Sequence, residues 1–179
     1  MSGIFAGAEA RMGKFARDHV KAGQPFPLRT MAVLVRKYGV FSLDGLLRKH
    51  LDLALNIAHN GINIDNNPDE LQRDHIFPRS TLEKQGFPPE QVSHYANFHF
   101  LRGSDNGNKS FTPPDKWFRN PGKDVPSYTD QDLAERLLTW DLLEPGTFPK
   151  LLEVRSAKIK QRAAQLFGRT EIEFDALFN

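Results

Sequence analysis

One stretch, residues 73–110, most constrains what this chain can fold into. It reads RDHIFPRSTLEKQGFPPEQVSHYANFHFLRGSDNGNKS. On either side of it, apolar residues recur at three- and four-residue spacing, the period of an amphipathic helix. Inside it that period is lost. The residues predict a short strand over 71–76 that Pro78 ends, and a second strand over 98–102 entered through Asn97. Between them lies an excursion with a short helix capped by Ser80 and running through Lys84. A second short helix covers 89–95, after the turn Phe87-Pro88-Pro89. Ser104 then caps a helical turn that carries Asn106 and Lys109. The order is strand, excursion, strand, helix.

The flanks predict scaffold. Helices are expected over 3–22, over 28–38 and from Ser42 to Gly61, the last with Leu43, Leu46, Leu47, Leu51, Ala54, Leu55 and Ala58 on its apolar side. The stretch 62–72 is turn-like; Asp65, Asn67 and Asp69 alternate as in a calcium loop, but the glycine and closing glutamate of such a loop are missing. After the core, Thr112-Pro113-Pro114-Asp115 opens a short helix through Phe118, and Thr129 caps a helix over 130–140. Thr147 caps a long helix over 148–167, and Thr170 with Glu173 forms a capping-box pattern for a last one. The expectation is an α+β fold, mostly α-helical, in a single domain over 1–179: a helical scaffold (1–66), a mixed core (67–120) and C-terminal helices (121–179). His19, His50 and His59 fall in or near the first helices and are expected to be surface or interhelical residues.

Composition narrows the chemistry. The 179 residues include no cysteine, so thiolate nucleophiles, disulfides and Cys-bound zinc are excluded, and any metal must rest on oxygen or imidazole. The net charge is +2, too small for a protein that coats nucleic acid by overall charge; binding to DNA must come from local clusters. No apolar run approaches a membrane span, and the charged first twenty residues lack a signal-peptide core. The chain is expected to act in the cytoplasm, away from membranes.

Asp74-His75-Ile76-Phe77-Pro78, then Asn97 and Leu101, then Asp105-Asn106-Gly107-Asn108-Lys109 together resemble the HNH endonucleases, whose nuclease unit is the ββα-metal motif. The setting within a helical chain, with Asn106, Lys109 and Ser110 closing the motif, is similar to the C-terminal HNH domains of bacterial anti-phage and modification-dependent restriction enzymes. The resemblance covers residues 74–110 and not the flanking helices. It implies a metal-dependent DNA endonuclease that nicks one strand and leaves a 5′-phosphate and a 3′-hydroxyl. It also implies a targeting or nucleotide-hydrolysing partner, as an N-terminal domain or a separate subunit.

The roles follow residue by residue from the resemblance. His75 matches the general base, Asn97 the residue that holds that histidine in place, and Lys109 a cation near the scissile phosphate. Asp74 and Asn106 match the metal ligands. Two protein oxygens, completed by water and phosphate, suit Mg²⁺ or Mn²⁺. Ser110 matches a phosphate hydrogen-bond donor. Neighbours on a regular strand face opposite sides, so Asp74 and His75 serve one site only where the strand ends or bends between them. His99 shares the strand parity of Asn97 and either faces the site or packs or hydrogen-bonds locally, the simpler role; were His94 or His99 to join Asp74 on a metal, a transition metal would fit instead.

One basic face outside the core stands out: Arg155, Lys158 and Arg162 on the 148–167 helix, read either as a solvated face or as a contact to a nucleic-acid backbone. Two other classes compete with the nuclease: an HNH-like DNA-binding module whose site has decayed, and a helical interaction module of a defence assembly.

Overall fold

The structure is a computed structural model that describes residues 42–59, 71–121, 127–166 and 169–176. The helices expected over 3–22 and 28–38 and the acidic loop at 65–69 lie outside these residues. The described chain is mixed α and β: α1 (Leu43–Lys49), α2 (Leu51–Ala58), β1 (Leu71–His75), α3 (Arg79–Lys84), α4 (Pro89–Val92), β2 (Phe98–Arg102), α5 (Gly103–Lys109), α6 (Pro114–Arg119), α7 (Asp130–Glu135), α8 (Phe148–Leu166) and α9 (Glu171–Asp175). Short 3₁₀ turns at Tyr95–Asn97 and Trp140–Leu142 complete it. Contacts divide the chain into a larger unit, Leu47–Ala163, and a second made of Met1–Leu46 with Ala164–Asn179. The larger unit contains the whole strand–strand–helix segment.

β1 and β2 pair antiparallel, with Gln72 opposite Leu101, Asp74 opposite His99 and His75 opposite Phe98. Alternation puts Gln72, Asp74, His99 and Leu101 on one face, and Arg73, His75, Phe98 and Phe100 on the other. A two-stranded ribbon leaves backbone groups unpaired along its edges. Along β2, side chains supply the partners. Phe100 N–H donates to His59 Nε2 at 3.3 Å, and Phe98 C=O accepts from Arg155 at 2.7 Å.

α5 covers the first face. Its sequence, GSDNGNK, has weak helix propensity, so tertiary anchors must hold it. Asn106 Nδ2 donates to Gln72 Oε1 at 2.8 Å, and the Lys109 ammonium donates to Asp74. The three-residue step from Asn106 to Lys109 sets both on the side that meets Gln72 and Asp74. Gly103 starts the helix against the sheet, where a Cβ would lie 3.0 Å from Gln72 Nε2. The core of the larger unit gathers Ile76 and Phe77 after β1, Leu82, Val92 and Leu101, with Trp117, Phe118, Leu133, Leu142, Phe148 and Leu151 from the later helices.

Several boundaries depart from the sequence expectation. The helix expected from Ser42 to Gly61 breaks at His50 (φ −122°, ψ 76°), with no glycine or proline to announce it. Ser42 does cap it, accepting from Gly45 N–H at 3.0 Å. α3 begins one residue ahead of Ser80, with Pro78 at the N-cap. α7 is capped by Thr129, in a capping box with Asp132, but stops at Glu135. There Leu137 adopts φ 59°, and its N–H donates to Ala134 while Leu138 N–H donates to Leu133 at 2.8 Å. This is a Schellman end with leucine in the position glycine usually fills, sealed by the buried pair Leu133 and Leu138. The Thr170–Glu173 capping box is present, with Glu173 Oε2 accepting from Thr170 N–H at 2.7 Å.

Candidate functional site

The polar residues of the core gather at the His75 end of the ribbon. On the face under α5, Asp74 Oδ2 accepts from the Lys109 ammonium and from His99 Nε2 at 3.2 Å. Burial pushes the Asp74 carboxyl up, but the His99 hydrogen bond and the Lys109 charge outweigh it and hold the group below its ordinary range. The carboxylate is therefore ionised at neutral pH. Burial drives the His99 imidazole down to about 3, against the opposing pull of Asp74. A neutral His99 facing an anionic oxygen must carry its proton on Nε2, which leaves Nδ1 bare, and Nδ1 has no partner. His99 thus faces Asp74 in the simpler of its two expected roles, a local hydrogen bond.

Lys109 departs from the expectation of a cation presented to phosphate. Its side chain is 1% exposed, and its ammonium donates inward to Asp74 and to the backbone carbonyl of His75. Its head meets Asp74, the carboxylate on the face of the ribbon that α5 covers. Ser110 is exposed just after α5, in a left-handed backbone conformation (φ 44°).

His75 stands on the other face. β1 runs regularly through it, so no bend falls between Asp74 and His75, and the imidazole packs on Phe98 with ring centroids 4.1 Å apart. The chain leaves the ribbon only after His75, through Ile76 and Phe77. The two side chains therefore leave the ribbon from opposite faces, and the bend between them that a shared site on one face requires is not present. His75 Nε2 is buried without a hydrogen-bond partner. Burial lowers the His75 pKa, with the Asp74 charge opposing, so the ring is neutral at neutral pH.

Asn97 is fully buried, and all its side-chain bonds go to backbone. Its Oδ1 accepts from Phe77 N–H at 2.9 Å, and its Nδ2 donates to Phe77 C=O at 3.3 Å and Val92 C=O at 3.0 Å. Its own carbonyl accepts from Ile76 N–H at 2.7 Å. The two residues that follow His75 are thus both held by Asn97, Ile76 by its backbone carbonyl and Phe77 by its side chain.

Two oxygens suited to a hard cation remain. Asn106 gives its N–H to Gln72, and Asp74 uses Oδ2 for Lys109 and His99. Asn106 Oδ1 and Asp74 Oδ1 accept from no described residue. One carboxylate and one amide oxygen on adjoining elements fit Mg²⁺ or Mn²⁺ by donor type. Among the described residues, no three His, Asp or Glu side chains gather as a ligand set, the arrangement a transition metal would favour.

The basic face of α8 is corrected by its burial. Arg155 is 0% exposed, in line with the buried Leu151, Ile159 and Ala163 at four-residue steps. It lies in the core stripe of the helix and has no access to a phosphate backbone. Arg162 is half-buried, and its Nη1 donates to the carbonyls of Ile57, Ala58 and Glu135, closing the end of α2. Lys158 is half-exposed. The four-residue run Leu151, Arg155, Ile159, Ala163 was the signal in the sequence that would have placed Arg155 inside.

His59 is buried against β2, where its Nε2 accepts from Phe100 N–H and its ring lies 5.5 Å from that of Phe100. Burial, and then the Arg155 charge, hold its pKa well below 6.5. The unfolded chain protonates His59 and His99 near the ordinary value of about 6.5, and the folded chain only lower. Stability is accordingly intact above about pH 6.5 and falls below it, at up to about 1.4 kcal/mol per pH unit for each group. Urea midpoints at about pH 7.5 and about pH 5 are expected to show that fall. His59→Gln, which keeps an acceptor for Phe100 N–H but does not titrate, should reduce it. No described residue belongs to a helix long and apolar enough to cross a membrane. Comparisons with protein-family models, with curated proteins and with solved structures return no match.

Proposed function

We propose that the strand–strand–helix core is a ββα-metal unit of the HNH kind and that the chain is a metal-dependent DNA endonuclease, nicking one strand. The observation that carries this reading is His75 Nε2: a neutral imidazole nitrogen, buried and unpaired, at the end of the strand whose neighbouring residue is the ionised Asp74. A general base needs that nitrogen free for the attacking water. Asp74 and Asn106 would hold the divalent ion, which supplies charge stabilisation on the phosphate and the leaving oxygen. Asn97 fixes the backbone after His75, and Phe98 fixes the ring. Lys109 holds α5 on the ribbon and keeps Asp74 charged. The substrate phosphate lies across the end of β1, where the two faces of the ribbon meet. Recognition of a DNA sequence or modification falls to a partner domain or subunit, and a role in anti-phage restriction follows from the resemblance.

The test is nicking of supercoiled plasmid in Mg²⁺ or Mn²⁺ against the same reaction with chelator. Open-circle product that appears only with metal is expected. The base form of His75 is lost as pH falls through its folded pKa, which lies below 6.5. The acid limb of the nicking rate should therefore fall below about pH 6.5, not at or above it.

A second reading is favoured by one observation: the Lys109 ammonium occupies the Asp74 oxygen, and Asp74 and His75 stand on opposite faces. Under it the chain is a decayed module that binds DNA without cutting. Salt-dependent DNA binding with no nicking in either metal would favour it.

A further inference from the structure

Arg155 is a guanidinium buried without a carboxylate partner among the described residues. A buried charge of this kind is costly, and a leucine or methionine would fill the same volume without that cost. What the charge holds is backbone. Nη1 donates to Ala96 C=O and to Phe98 C=O, each at 2.7 Å, and Nε donates to Arg136 C=O at 3.1 Å. The first two carbonyls flank Asn97. Asn97 in turn holds Ile76 and Phe77, which follow His75. Phe98, the other carbonyl's owner, carries the ring on which the His75 imidazole packs. One side chain of α8 thus fixes both supports of the imidazole: the backbone that leaves it and the ring beneath it.

We propose that Arg155 is a positioning residue for His75, acting through Ala96, Asn97 and Phe98 and touching neither substrate nor metal. The proposal rests on the reading of His75 as general base, but its geometric half is testable without activity. Arg155→Lys keeps the charge and at most part of the fork; Arg155→Met keeps volume alone. In Arg155→Lys, the nicking kcat is expected to fall about 10- to 100-fold with KM nearly unchanged, since a small misplacement of a base harms the chemical step more than binding. The ring carbon resonances of His75 should shift, and the amides of Ile76 and Phe77 should exchange faster. Arg155→Met should show the same changes, larger; if it does not fold, the lysine variant alone carries the test. Ile159→Val, on the same stripe of α8, is the control for a merely structural loss and should leave kcat and the His75 resonances as in the parent.

A His75 resonance and Ile76 and Phe77 exchange that move no more in Arg155→Lys than in Ile159→Val would overturn the proposal. So would kcat at the parent level in a parent chain that nicks. Should the parent not nick at all, the functional reading fails while the resonance and exchange data still decide for or against the clamp.

Discussion

Replacing His75 with alanine is expected to lower the single-turnover rate of plasmid nicking by about 10²- to 10⁴-fold, the usual contribution of a positioned general base. The fold should survive. The His75 imidazole makes no described hydrogen bond through Nε2, and its backbone carbonyl, which Lys109 uses, remains in the variant. The loss is confined to packing against Phe98, on the order of 1 kcal/mol for a half-buried ring. A urea midpoint close to the parent's, measured on the same preparation, separates lost chemistry from lost structure. Nicking at the parent rate by a folded His75→Ala chain would assign the base elsewhere.

The second large effect is on stability. Asp74→Ala removes the counter-ion of a lysine that is 1% exposed and leaves its ammonium in the space between α5 and the ribbon. Breaking a buried pair by deleting one partner typically costs about 3–5 kcal/mol, because the survivor's charge is left uncompensated. His99 loses its acceptor in the same step. Lys109→Met in the Asp74→Ala background removes the stranded charge, keeps the apolar stem, and should recover most of the loss. Urea unfolding of the parent, both single variants and the double variant closes this cycle. A single Asp74→Ala chain as stable as the parent would mean that Lys109 reaches water by another route and that the pair does not anchor α5.

Much of the architecture was readable from residue pattern. Both strands fall where the pattern placed them, within a residue, because Pro78 and the alternation from Phe98 to Arg102 are local signals. The turn that carries Asn106 and Lys109 is a helix, and it meets the ribbon by the three-residue step that separates them. Local signals also gave the cap at Thr129 and the capping box at Thr170. What was not legible depends on direction and distance. The break at His50 and the left-handed Leu137 have no glycine or proline to mark them; tertiary packing sets both.

The site shows the same division. Adjacency in sequence joined Asp74 to His75, but the pleat sends them to opposite faces. Lys109 and Arg155 read as cations for phosphate, because charge is visible in sequence and burial is not. Each in fact spends its donors inward, on Asp74 and the His75 carbonyl in one case and on the carbonyls beside Asn97 in the other. His99 was read as sharing the strand parity of Asn97, yet its bond to Asp74 follows only from the register that sets residue 74 opposite residue 99.

The most direct test of metal-assisted hydrolysis at this site is the chemistry of the cut. Supercoiled plasmid treated with the chain in Mg²⁺ or Mn²⁺ is purified and given to a DNA ligase without prior end repair. Hydrolysis by a water that His75 deprotonates leaves a 5′-phosphate and a 3′-hydroxyl, so the nicks should reseal directly, and none should form when chelator is present. Nicks that form equally with chelator, or that ligase closes only after end repair, would contradict it.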